Sequence, residues 1–154
     1  NIVSKDGYLN QNTGAFMCND STKGLNHAIT INTFMRMFNK ILATKGLAPI
    51  QIGIGLGCDY ELIVKLRDEN HEINDKLWIG NAIGHATYYA NLANRNGNLP
   101  IMMSKTFYDY LIRALEKEEA NFGHAIQPYY ENGTIEAYQC NLVSSQFNKW
   151  VSEL

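Results

Sequence analysis

The chain has 154 residues, three cysteines and a formal net charge of -2, with 45% of its residues hydrophobic and 18% charged. That length lets one domain bury a core without disulfides or metals, and the scattered Lys and Arg leave no electrostatic footprint for nucleic acid or an anionic membrane. Apolar runs such as Leu62-Ile63-Val64 fall far short of a membrane span, no signal segment opens the chain, and the irregularly spaced Cys18, Cys58 and Cys140 read as reduced thiols, so a soluble cytoplasmic protein is expected.

Ile2 and Val3 read as a strand, Asp6 to Thr13 as a polar loop, and Ala15 to Cys18 as the returning strand. From Leu25 to Lys45 apolar residues recur at three and four, as in Ile31, Phe34, Phe38 and Ile41, which predicts a long helix. Asp20, Ser21 and Thr22 are available as its caps and Gly46 as its stop. Ile50 to Leu56 is a strand with Ile or Leu on one face and Gly53, Gly55 and Gly57 on the other, a bare wall that another backbone or a ligand can approach closely. After a turn at Gly57-Cys58-Asp59, Tyr60 to Leu66 is expected to be its neighbour in the sheet. Arg67 to Lys76 carries six formal charges and reads as a loop.

Leu77 to Ile79 is a short buried strand, and Asn81 to Ala93 has a helical pattern with Ala82, Ile83, Ala86, Tyr89, Ala90 and Ala93 on the packed side. The turn through Gly80-Asn81 places backbone N–H groups at the start of that helix. Pro100 to Met103 is the next strand, and Ser104 caps a helix through Phe107, Tyr110, Leu111 and Leu115. Ala125 to Tyr130 and Thr134 to Leu142 form a hairpin around Asn132-Gly133, and Ser144 or Ser145 caps a last helix holding Phe147, Trp150 and Val151. Hairpins interrupt the alternation of strands and helices, which predicts an α+β sandwich with helices packed on a mixed sheet. The glycines lie inside a strand, not at a strand-to-helix turn, so a dinucleotide fold is disfavoured, and no phosphate loop ending in Gly-Lys-Ser/Thr is present. Tyr88, Tyr89, Phe107, Tyr108 and Tyr110 fall at helical spacing and read as packing residues before stacking platforms.

Lys45-Gly46-Leu47-Ala48-Pro49-Ile50 running into Ile52-Gly53-Ile54-Gly55-Leu56-Gly57, then Ile73 to Ile83, then Leu99 to Tyr108, stand in the order and spacing of class III nucleotide cyclases. The chain resembles that family from Leu25 to Leu111, and its flavour is closest to the bacterial Pycsar pyrimidine nucleotide cyclases; Tyr138 to Leu154, with Trp150 near its end, is also similar. The resemblance implies a ferredoxin-like α+β fold, its sheet mixed but mainly antiparallel, over a single cyclase-like domain spanning 1–154 and lacking the usual first strand. It further implies a homodimer, or a pairing with a cyclase-like partner, that encloses a nucleoside triphosphate, CTP or UTP, along the glycine wall. Two carboxylates would hold Mn2+ or Mg2+ there, and the product would be a 3′,5′-cyclic nucleotide in anti-phage signalling, with no nucleic acid or membrane partner.

By resemblance the first metal carboxylate belongs to a strand before Asn1. The second maps to Asp6 in Ser4-Lys5-Asp6-Gly7-Tyr8-Leu9, although counting back from Gly14-Ala15-Phe16 lands on Asn10, and Lys-Asp-Gly is also an ordinary hairpin turn. At the turn into the second helix the family's Asp or Asn is Asn81, its supporting Asn is replaced by Gly84, and its cation is replaced by Tyr88. Gly has no side chain to hold a ribose and a phenol carries no positive charge, so a homologue that binds nucleotide or dimerises without turnover is the alternative expectation. His85, Arg95 and Lys105 are the nearby sources of charge, although His85, alone on an alanine-rich helix, reads as a half-exposed packing residue. Asp75, Leu77 and Trp78 precede the turn where such enzymes read the base; Leu77 suits a non-purine scheme, and Asp75 equally caps the loop.

Overall fold

A computed structural model describes residues 8–9, 16–17, 21–59, 61–65, 76–117 and 125–153. The first elements are β1 (Tyr8–Leu9) and β2 (Phe16–Met17), which pair antiparallel with Tyr8 opposite Met17. Tyr8 and Leu9 were expected in a loop; an aromatic and an aliphatic residue of good strand fit instead pair with the returning strand. The strand expected at Ile2 and Val3 lies outside the described residues.

Helix α1 (Ser21–Thr44) stops where Gly46 adopts φ +68°. The Leu47 N–H donates to Leu42 O and the Gly46 N–H to Ala43 O, each at 3.0 Å, a Schellman closure that uses the freed carbonyls. At the other end Asp20 is outside the described residues, and Ser21 is already helical, its buried Oγ without a partner among the described residues.

There follow β3 (Ile54–Leu56), β4 (Glu61–Lys65), β5 (Lys76–Gly80), α2 (Asn81–Leu92), β6 (Ile101–Ser104), α3 (Lys105–Lys117), β7 (Ile126–Glu131), β8 (Thr134–Cys140) and α4 (Ser145–Glu153). The main sheet has the order β3-β6-β8-β7, with β3 and β6 parallel and the other two pairings antiparallel. Strand β4 is not the neighbour of β3, contrary to the sequence reading. It pairs with β5, from Glu61 opposite Gly80 to Lys65 opposite Lys76. A parallel partner for β3 requires a crossover, and the β4-β5 hairpin with α2 supplies that crossover to β6.

The predicted strand at Ile50 also begins later than expected, because side chains hold its first residues. Asn39 accepts from the Ile50 N–H at 2.8 Å and donates to Ile50 O at 2.9 Å, and Asn94 Nδ2 donates to Ile52 O at 3.1 Å.

Alternation sorts the sheet into two covered faces. Ile54, Leu56, Ile101, Met103 and Cys140 pack with Leu25 and Ala28 of α1 and Phe107 and Leu111 of α3. On the other face Met102 and Ala137 pack with Ala93 and Tyr89 at α2. Helices on both faces of a mixed, open sheet make this an α+β fold, and they explain why Ile101, Met102 and Met103 are all buried. Strand β7 is an outer strand, the position in which its Pro128 costs no interior ladder bond. The hairpin turn has φ +51° at Asn132 and +82° at Gly133, the two positive values that Asn-Gly favours. Ser104 Oγ accepts the Phe107 N–H at 3.1 Å, and Ser144, rather than Ser145, caps α4 through the Phe147 N–H at 3.4 Å. No helix among the described residues is long and apolar enough to cross a membrane.

Candidate functional site

The glycine wall is occupied by the chain's own helix. A Cβ on Gly55 would lie 2.5 Å from Ala90 N and closer still to Ala86 O; on Gly53 it would lie 2.7 Å from Ala93 O, and on Gly57 2.9 Å from Ala86 N. Four helical residues rise about 6 Å and two strand residues about 6.6 Å, so Ala82, Ala86 and Ala90 keep step with Gly57, Gly55 and Gly53. This corrects the expectation that paired subunits enclose a triphosphate along that wall. The backbone that approaches the glycines is that of α2.

Because alanines press one side of α2 onto β3, residues three and four apart on the other side point outward. Asn81, Gly84 and Tyr88 share that side and all are exposed. A Cβ on Gly84 would meet nothing within 4 Å. Tyr88 is 48% exposed, and its O–H donates to Glu131 Oε2 at 3.5 Å. Tyr89 stands edge-on to Tyr88 at 5.3 Å, and its O–H donates to Glu136 O at 3.2 Å. Two consecutive tyrosines therefore tie α2 to the β7-β8 hairpin. Ile83 was expected on the packed side but is 42% exposed, since a seam of backbone-to-backbone contact has no room for a branched side chain.

At the start of α2 the N-cap is Gly80, which provides no side-chain cap. The first-turn N–H groups of this 12-residue helix carry its partial positive charge and suit an anion. His85 stands near this end, its Cβ 3.2 Å from the position a Gly57 Cβ would occupy. Lys105 follows β6 at the same edge of the sheet, since Leu56 pairs with Met103. Arg95 does not share this edge. It lies past the far end of α2, roughly 20 Å along the helix from Asn81, which corrects its expected role as a source of charge.

The Glu131 carboxylate, more than burial, pushes the Tyr88 phenol above its ordinary value, and burial does the same for Tyr89. Tyr88 therefore stays a neutral donor at physiological pH and supplies no positive charge. The packing reading of the other aromatics holds for Phe107, which is buried, and for Tyr108, which stacks on Tyr138 at 3.5 Å.

Leu77 and Trp78 lie on β5 opposite Val64 and Ile63, while Asp6 and Asp75 lie outside the described residues. The structure thus brings Asn81, Gly84 and Tyr88 onto one face. The Glu131 carboxylate joins that face through Tyr88, and the Glu136 carbonyl meets the adjacent Tyr89, both from a hairpin more than forty residues away that no local pattern in the sequence announces. Among the described residues no group of three or more His, Cys, Asp or Glu could hold a metal ion, and Asp6 is not one of those residues.

Over 126 residues the chain is 32% identical to a protein from Treponema porcinum named uridylate cyclase. That similarity covers 82% of this chain and 42% of the relative, so the chain spans less than half the length of the protein it matches. No family model matches, and no solved structure matches. What the likeness supports is a relationship, over most of this chain, to the nucleotide cyclases.

Proposed function

We propose that this chain is the part of a uridylate cyclase that presents α2 to the nucleotide, and that the whole protein converts UTP to 3′,5′-cyclic UMP and pyrophosphate. The observation that carries this reading is the 32% identity, over 82% of the chain, to a protein of that name. In the reaction the ribose 3′-oxygen attacks the α-phosphorus in line and pyrophosphate leaves. The open N-terminus of α2 faces phosphate oxygens, the Asn81 amide orients the sugar, and Tyr88, its proton held by Glu131, stands where the resembled enzymes place a cation and offers only its oxygen as an acceptor to a sugar hydroxyl. Asn81 and Tyr88 are both exposed, and in this reading a second copy supplies the opposite wall. The class III and Pycsar assignments, the Mn2+ or Mg2+ dependence through Asp6 and an anti-phage role follow from the resemblance and form part of the proposal.

A specific observation favours a second reading. Gly84 leaves open space where a ribose-holding side chain is expected, and Tyr88 is neutral. A module that binds nucleotide or dimerises without turnover fits these two residues.

The test is incubation of the purified protein with each of the four triphosphates and Mn2+ or Mg2+, with mass detection of cyclic product. Cyclic UMP alone is expected, in larger yield from a Gly84→Asn, Tyr88→Arg double variant. Absence of cyclic product from both proteins refutes turnover, and a melting temperature raised by UTP then identifies the binding module.

A further inference from the structure

At the edge of the sheet opposite the start of α2 lies a groove of about 260 Å³. Its walls come from α1, from the residues leading into β3 and β6, and from those following α2 and β8. Arg36 is the charged residue lining it, and neither Asp nor Glu is present there, which makes the groove attractive to an anion in a chain of net charge -2.

The polar lining is ordered. Asn141 Oδ1 accepts from Asn32 Nδ2 and from Arg36 Nη2, each at 3.1 Å, and Asn32 Nδ2 also donates to Leu142 O at 2.8 Å. These bonds fix the Asn32 amide, which is only 6% exposed. The remaining Arg36 N–H groups and the Gln51 amide stand around the same space, and Pro49, Ile52 and Pro100 give it apolar walls. A ligand that fits is a flat ring with both donors and acceptors, resting on apolar walls and carrying one anionic group for Arg36. The volume sits just below the roughly 300–1,000 Å³ of small-molecule sites, room for one ring and one phosphate.

We infer that this groove is a second nucleotide site, separate from the outer face of α2, that takes a uridine bearing a single phosphate. The choice of uracil rests on the cyclase reading; the demand for a ring with one phosphate rests on the groove. A ligand there touches α1, Ile52 and Asn94 together, and so sets how the end of α2 sits against the start of β3.

The experiment is NMR titration of isotope-labelled protein with 5′-UMP, 3′,5′-cyclic UMP, uridine and inorganic phosphate. Saturable shifts of the Asn32, Gln51, Asn94 and Asn141 side-chain amides with 5′-UMP or cyclic UMP are expected, and the two nucleotides tell precursor-like ligand from product. Uridine and phosphate are expected to bind at least tenfold more weakly, as is either nucleotide to the exposed-site variant Arg36→Gln. Shifts confined to α2, equal binding of phosphate or uridine alone, or an unchanged affinity in Arg36→Gln overturns the site. The mapping uses the wild-type protein and so does not depend on any variant folding. Saturable binding in the groove of a protein that makes no cyclic product keeps the site and removes the cyclase reading; product formation with a silent groove does the reverse.

Discussion

Replacing Gly55 with Ala adds a single methyl group at the tightest point of the α2-β3 seam. The new Cβ would stand 2.5 Å from Ala90 N and nearer to Ala86 O, against an ordinary contact of 3.4 Å, so α2 must retreat by about 1 Å or more. Both obstacles are backbone atoms inside a hydrogen-bonded helix, which cannot step aside as a rotamer can. Overpacking typically costs about 1–3 kcal/mol, and a rigid obstacle puts this variant at about 3 kcal/mol or beyond. Against a total stability of about 5–15 kcal/mol, that is a large fraction. At roughly 2–4 °C per kcal/mol for a chain of this size, the melting temperature falls by about 6–12 °C. Gly84→Ala is the control, because its Cβ enters open space on an exposed helix and gains about 1 kcal/mol of helix propensity. Urea unfolding followed by far-ultraviolet circular dichroism measures both. A Gly55→Ala protein within about 0.5 kcal/mol of wild type, or an equal loss from both variants, would refute the seam as the reason for the glycines.

Lys40 Nζ donates to Val151 O at 2.9 Å and Ser152 O at 3.0 Å, tying α1 to the last turn of α4. Lys40→Met is expected to lose about 1–2 kcal/mol and to raise amide exchange in Ser145–Glu153 more than in α3; uniform exchange would contradict it. Burial pushes the Cys140 thiol from 9.0 up to about 11, so it should resist thiol reagents at mildly alkaline pH until the protein unfolds. Its folded value lies above its unfolded one, so the stability linked to it is full below about 9 and falls as the pH rises through about 11; Cys140→Ala should flatten that fall in alkaline unfolding curves. Tyr88→Phe removes the phenol whose proton Glu131 retains, and a spectrophotometric titration should lose one late-titrating tyrosine; an unchanged curve would break the Tyr88-Glu131 contact.

How much the sequence determined follows from where each force acts. The period of α1, its stop at Gly46, the Asn132-Gly133 hairpin and the cap at Ser104 depend on neighbours within a few residues and were legible, while the cap of α4 was narrowed only to Ser144 or Ser145. The glycines of β3 announced a close approach because a missing Cβ is itself the signal, but not what approaches; the step between alanines on α2 and glycines on β3 answers that only once both elements face each other. The same contact turned Asn81, Gly84 and Tyr88 outward and excluded Ile83 from the seam. Strand pairing, the meeting of Tyr88 with Glu131 and the groove around Arg36 join residues far apart in the chain. No local propensity encodes them, because contacts between distant segments exist only after the chain has closed the loops that bring them together.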